Sequence, residues 1–196
     1  MPVPAPQNTQ ATNQGRARLF FALSPDEATR AAIYRASRNA AQANGGRVIP
    51  SENFHITLAF LGSPPAELEE QLAAKAVATA EGVQAQPFTF ELDTVGYWPS
   101  AKVVWYGCAT PPETLRALAL EIRRRLGASG LPHHDDKFVP HLTLARWVQK
   151  AGPFAPAQRI AWDVSEFVFI RSETLSAGVR YTQLARCALG RQGVLI

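Results

Sequence analysis

At 196 residues, 46% of them hydrophobic and 18% charged, the chain suits one compact domain and is too apolar for a disordered protein. A formal charge of +4 and a pI of about 9.4 favour polyanionic ligands without by themselves requiring nucleic acid. Two cysteines, Cys108 and Cys187, cannot make a disulfide framework or a CxxC metal site, and each lies in an apolar, strand-like run that fits a buried small side chain.

Residues 1–15 are rich in Pro, Gln, Asn and Thr and lack the apolar run of a signal peptide. They are expected to form a disordered tail ahead of a single domain over residues 16–196. No stretch approaches the roughly eighteen apolar residues of a spanning helix, so a soluble cytoplasmic protein is expected. Arg18–Leu23 reads as a buried strand. Ser24-Pro25-Asp26-Glu27 then supplies an N-cap, a first-turn proline and early acids for a helix that Asn44-Gly45-Gly46 stops. A strand over 54–61 closes at Gly62-Ser63-Pro64-Pro65, and a helix over 66–80 carries Leu68, Leu72, Ala76 and Ala80 at helical spacing.

Further strands are predicted over 88–95 and 102–108, joined by a turn at Gly96-Tyr97-Trp98-Pro99-Ser100. A helix over 113–126 places Leu115, Leu118 and Ile122 on one face and ends at Gly127. Strands over 138–146, 159–171 and 179–187 complete the chain. This order predicts an α+β protein with helices outside antiparallel or mixed sheet.

One internal repeat carries chemistry. Residues 54–60 read Phe-His-Ile-Thr-Leu-Ala-Phe, and residues 140–146 read Pro-His-Leu-Thr-Leu-Ala-Arg. Strand alternation puts His55 and Thr57 on one face, with Ile56 and Leu58 behind them. His141 and Thr143 repeat the pattern over Leu142 and Leu144. Were the two strands to meet across a groove, two imidazoles and two hydroxyls would converge on one small volume. Such a volume suits a phosphodiester: a neutral imidazole takes a proton from water while an imidazolium gives one to the departing oxygen. The threonine hydroxyls can donate to the non-bridging oxygens as charge builds on phosphorus. This chemistry calls for neither a metal nor an organic cofactor.

With these residues in view, the chain resembles the 2H phosphoesterase superfamily, and within it the RNA 2′,3′-cyclic phosphodiesterases of the 2′-5′ RNA ligase family. The likeness runs through Arg18-Leu19-Phe20-Phe21-Ala22-Leu23-Ser24-Pro25, residues 50–62 and residues 138–146. It implies a bilobal, pseudo-twofold fold with two sheets facing a central groove. The implied reaction opens a 2′,3′-cyclic phosphate on an RNA end to a 2′-phosphomonoester. By position, His55 is the implied proton donor, His141 the implied acceptor, and Thr57, Thr143 and Arg146 the implied phosphate-binding groups. Simple alternation would turn Arg146 away from His141, so a bulge or the strand end must redirect it. The chain departs from the family at Arg186-Cys187-Ala188-Leu189, where relatives often carry a tryptophan.

Lesser features have plainer readings. His133-His134-Asp135-Asp136 holds metal-ligand types, but consecutive loop residues converge poorly on one ion. Lys137 can reach an RNA phosphate or simply face solvent. Arg123-Arg124-Arg125 reads as a solvated helical face. Tyr97 and Trp98 can stack on a terminal base or pack under their turn. The same site also allows 2′-5′ RNA end joining or action on small cyclic nucleotides, and a module that binds RNA ends without turnover is the reading from another class. Nothing points to an obligate protein partner or a membrane.

Overall fold

The computed structural model of the chain describes residues 16–42, 46–134, 137–150, 152, 154, 157–176 and 178–190. The tail expected over residues 1–15 lies outside the described residues. In chain order the elements are β1 (Arg18–Leu23), α1 (Glu27–Gln42), β2 (Arg47–Val48), a 3-10 turn (Ser51–Asn53) and β3 (Ile56–Gly62). There follow α2 (Ala66–Ala80), β4 (Phe88–Leu92), β5 (Thr94–Trp98), β6 (Val103–Gly107) and α3 (Glu113–Ala128). The chain ends with β7 (His141–Arg146), β8 (Ile160–Val164), β9 (Glu166–Leu175) and β10 (Gly178–Ala188), an α+β succession as expected.

Rather than two sheets facing each other, eight strands share one antiparallel sheet. The path is β10-β9-β1-β3-β7-β6-β5, with β2 added to β7, while β4 and β8 form a separate ribbon. The halves β10-β9-β1-β3 and β7-β6-β5 meet at a single bridge, Ile56 opposite Leu142. Joining them edge to edge satisfies backbone groups that two separate edges would leave unpaired. Past the bridge the two strands splay, and each is partnered from the other half's loop. Arg47 and Val48 pair with Arg146 and Ala145, and the His134 N–H donates to the Phe60 carbonyl at 3.2 Å.

Alternation along β1 decides the layers. Leu19, Phe21 and Leu23 enter the main core with Ile33 of α1, Ala76 of α2 and Leu115 of α3. Phe20 and Ala22 face the other way, in a small cluster with Val168 and Ile170, and a second small cluster of Trp98, Val103 and Trp105 belongs to the other half. The helices cross between halves: α1 packs on β7 and β8, whereas α3 packs on β3. A fully buried Leu or Ile contributes about 1.5–3 kcal/mol, against about 1 kcal/mol for a backbone hydrogen bond. Leu115, Leu118 and Ile122, each at most 1% exposed, therefore fasten the halves more firmly than the one bridge does.

Several boundaries differ from expectation for identifiable reasons. Asp26, not Ser24, caps α1, its Oδ1 accepting the Thr29 N–H at 2.7 Å. Gly127 lies inside α3, and the left-handed residue beyond that helix is Gly130, at φ 66°. Gly96 is no turn glycine. It stands opposite Trp105 in the β5–β6 pair, where a Cβ would collide with the indole. The turn instead falls after Trp98 and ends at Lys102, at φ 53°. Ser165 divides the expected 159–171 strand into β8 and β9.

Candidate active site

Two matching irregularities aim the site residues. In the β1–β3 register, Phe21 opposes Ala59 and Ala22 opposes Thr57, which leaves Leu58 as the extra residue of a bulge. In the β6–β7 register, Val104 opposes Ala145 and Trp105 opposes Thr143, which leaves Leu144 extra in the same way. Each bulge buries two successive apolar residues and shifts the alternation by one. Arg146 is thereby returned to the face of His141 and Thr143, as the sequence required. The bulged carbonyls are satisfied by different groups: Arg123 Nε donates to Leu58 O at 2.9 Å, and the Ile49 N–H to Leu144 O at 2.8 Å.

The two histidines are held alike. His55 Nδ1 lies 2.8 Å from Asn53 O, and His141 Nδ1 lies 2.9 Å from Val139 O. A carbonyl only accepts, so each Nδ1 carries the proton and each Nε2 is left for chemistry. Aromatic neighbours fix the ring planes. His55 sits 5.1 Å from the Phe20 ring and 5.3 Å from the Tyr181 ring, the latter edge-on. His141 meets the Trp98 ring edge-on at 4.6 Å.

Both rings are half-buried, and burial is the main cause that lowers each from the ordinary 6.5 to about 4. The carbonyl bonds at Nδ1 oppose this, while the Arg146 guanidinium repels the charged form of both rings. His141 adds a smaller repulsion to His55, so the two imidazoles feel each other. Arg146 is itself pushed below its usual pKa by burial, and Tyr181 and Arg18 lie within its electrostatic reach. It makes no ion pair among the described residues. A half-buried guanidinium without a carboxylate beside two neutral imidazoles is a place for an anion.

The structure thus brings His55, His141 and Arg146 to one locality, with half-buried Thr57 and Thr143 on the same face. The two halves are not equivalent there. Phe60 occupies the position of Arg146 in the first copy, and its ring lies 5.2 Å from that of His134. Three site neighbours escaped the sequence reading: Arg18, Phe20 and Tyr181. Arg18 and Phe20 alternate with the core-facing Leu19, Phe21 and Leu23 of β1, which is a usable signal. Tyr181 lies opposite Ser172, which lies opposite Arg18, so it shares their face only through a pairing of β1, β9 and β10 that the local sequence does not reveal.

Most of the lesser features are structural. Trp98 is buried and supports His141, and the Tyr97 hydroxyl donates to Val148 O at 2.7 Å, so packing accounts for both. Arg124 and Arg125 pair with Glu121, but Arg123 is tucked beneath β3 and is no part of a solvated face. Asp135 and Asp136 lie outside the described residues, among which no group of three or more metal-ligand side chains occurs. Lys137 is exposed. Burial pushes the Cys108 thiol up to about 12, with help from Asp93, and also raises Cys187. Leu189 is buried, its N–H bonded to Ser165 O at 2.8 Å. No helix among the described residues is long and apolar enough to cross a membrane.

Comparison with known proteins places the chain in a family. The family model of the 2′-5′ RNA ligase superfamily matches residues 24–174. The RNA 2′,3′-cyclic phosphodiesterase of Escherichia coli is 36% identical over 174 residues, 88% of this chain and 96% of that protein. The protein of the same name from Thermus thermophilus is 34% identical over 182 residues, 88% of this chain and 90% of that one. The crystal structure of E. coli LigT complexed with 3′-AMP superimposes with a TM-score of 0.78 at 33% identity, over 90% of this chain and 99% of that one. Duplicated His-x-Thr strands, a guanidinium within electrostatic reach of both histidines and a match across most of the length carry one conclusion: the chain belongs to the 2′-5′ RNA ligase superfamily.

Proposed function

We propose that the chain is an RNA 2′,3′-cyclic phosphodiesterase that hydrolyses a terminal cyclic phosphate to a 2′-phosphomonoester by two-histidine acid–base catalysis. The observation that carries this is the convergence of His55, His141 and Arg146, with both Nδ1 atoms tied to carbonyls. His141 Nε2 takes a proton from water, whose oxygen attacks phosphorus. The bond from phosphorus to the ribose 3′-oxygen breaks, and His55 Nε2–H protonates that oxygen. Arg146 neutralises the phosphate, and Thr57 and Thr143 donate to its non-bridging oxygens. An anion in place favours the charged form of His55, working against the burial that chiefly lowers it and against the lesser repulsion from Arg146. The division of labour follows the family likeness. Within this reading the two halves of the sheet act as pseudo-twofold lobes of one domain, with RNA as the partner, the cytoplasm as the setting and no metal in the reaction.

Phosphorus NMR of an RNA oligonucleotide with a 2′,3′-cyclic phosphate tests it, with a chelator present throughout. The cyclic resonance should give way to that of a 2′-monoester, and His55→Ala and His141→Ala should each slow this by roughly 10²- to 10⁴-fold. Unchanged turnover in either variant, or turnover abolished by the chelator, overturns the mechanism.

A further inference from the structure

Trp147 follows Arg146 directly, is 57% exposed, and has a left-handed backbone at φ 59°. A bulky aromatic residue rarely adopts that conformation, which persists only when its neighbours hold it. Here they do. Arg146 is paired on both sides, with Val103 and with Arg47. Val148 is fully buried, its N–H donating to Lys102 O at 3.1 Å and its carbonyl accepting the Tyr97 hydroxyl at 2.7 Å. Chain clamped before and after it leaves the indole turned outward.

Next to that ring stands Arg47, with its guanidinium carbon 5.8 Å from the indole centroid. The same guanidinium is pressed against Gly178, where a Cβ would stand 2.7 Å from Nη2. Arg47 is thus lodged between Gly178, at the start of β10 in one half, and Trp147 of the other. Among the described residues it has no carboxylate partner. An outward-facing indole, a held guanidinium and the adjoining Arg146 form a small cationic and aromatic surface continuous with the site.

We infer that Trp147 and Arg47 form a subsite for the RNA preceding the cyclic phosphate, Trp147 stacking on a nucleobase and Arg47 meeting a backbone phosphate. Aromatic faces and unpaired arginines are the two groups by which single strands are held without base selection. The inference rests on the activity proposed above and adds a preference for oligonucleotides over mononucleotides.

The test compares kcat/KM for a 2′,3′-cyclic mononucleotide with that for an oligoadenylate ending in a 2′,3′-cyclic phosphate, at one fixed salt concentration. Trp147→Ala should lower the oligonucleotide-to-mononucleotide ratio by about tenfold or more. Trp147→Phe should retain most of the ratio, and Arg47→Ala should lower it while weakening its salt dependence. As a readout independent of turnover, an oligoadenylate with a terminal 2′-phosphate should quench tryptophan emission, and Trp147→Phe should remove most of the quench. A ratio that neither Trp147→Ala nor Arg47→Ala changes overturns the subsite and leaves the activity standing. Failure of the unaltered protein to open either substrate overturns the activity as well.

Discussion

Trp98 stands edge-on to the imidazole of His141, and behind Trp98 the ring of Trp105 lies flat over Gly96. The ring centroids of the two tryptophans are 5.1 Å apart, so His141 is buttressed by a row of three aromatic and glycine positions. Adding a Cβ at Gly96 drives into the Trp105 indole, whose buried Nε1 has no hydrogen-bond partner to lose among the described residues. Gly96→Ala should therefore cost about 1–3 kcal/mol of stability through overpacking. Urea unfolding gives that loss, and steady-state kinetics should show a lower kcat with little change in KM as His141 loses its support.

The low pKa values of the two histidines carry a definite sign. The unfolded chain, with histidines near 6.5, binds more protons than the folded one between pH 6.5 and about 4. Stability should fall as pH drops through that window, by up to about 3 kcal/mol for each ring. Unfolding free energies at pH 7 and pH 4.5 should differ less in the double variant His55→Gln, His141→Gln. A pH dependence identical to that of the unaltered protein would refute the assignment of these low values.

Arg146 repels the charged form of both rings. In Arg146→Gln the two histidines should titrate at higher pH, measured by proton NMR of the imidazoles, while inorganic phosphate binds more weakly by about tenfold or more. Arg146→Lys should preserve the low titration yet recover little of the phosphate binding, because an ammonium lacks the planar fork.

Beneath the sheet, Arg123 satisfies the bulged Leu58 carbonyl and lies 5.3 Å from the Phe138 ring. Replacing it with methionine keeps the stem but strands that carbonyl, at about 1–3 kcal/mol. Thermal unfolding of Arg123→Met should show the loss. Lysine at this position should restore part of it.

Much of the site was legible because strand geometry is simple. His55 with Thr57, and His141 with Thr143, follow from a period of two, and the need for a bulge follows from Arg146 falling out of that period. The repeated Leu-Ala before Phe60 and Arg146 is the trace of the bulge itself. What stayed hidden was set by contacts distant in sequence. Gly96 reads as a turn because nothing nearby reveals that Trp105 will lie across it. Asp26 and Ser24 are both good caps, and only the helix's final register selects between them. The edge-to-edge joining of Ile56 with Leu142 depends on two loops, around Val48 and His134, that fill the splay on either side.

That joint has a consequence for how the protein fails. One imidazole belongs to each half, and a single strand bridge with crossed helices sets their separation. A lesion in the α3–β3 packing, far from any substrate atom, leaves each half able to keep its own secondary structure while the pair loses its spacing. Loss of turnover with an unchanged circular dichroism spectrum is then the signature of misdocking rather than of unfolding.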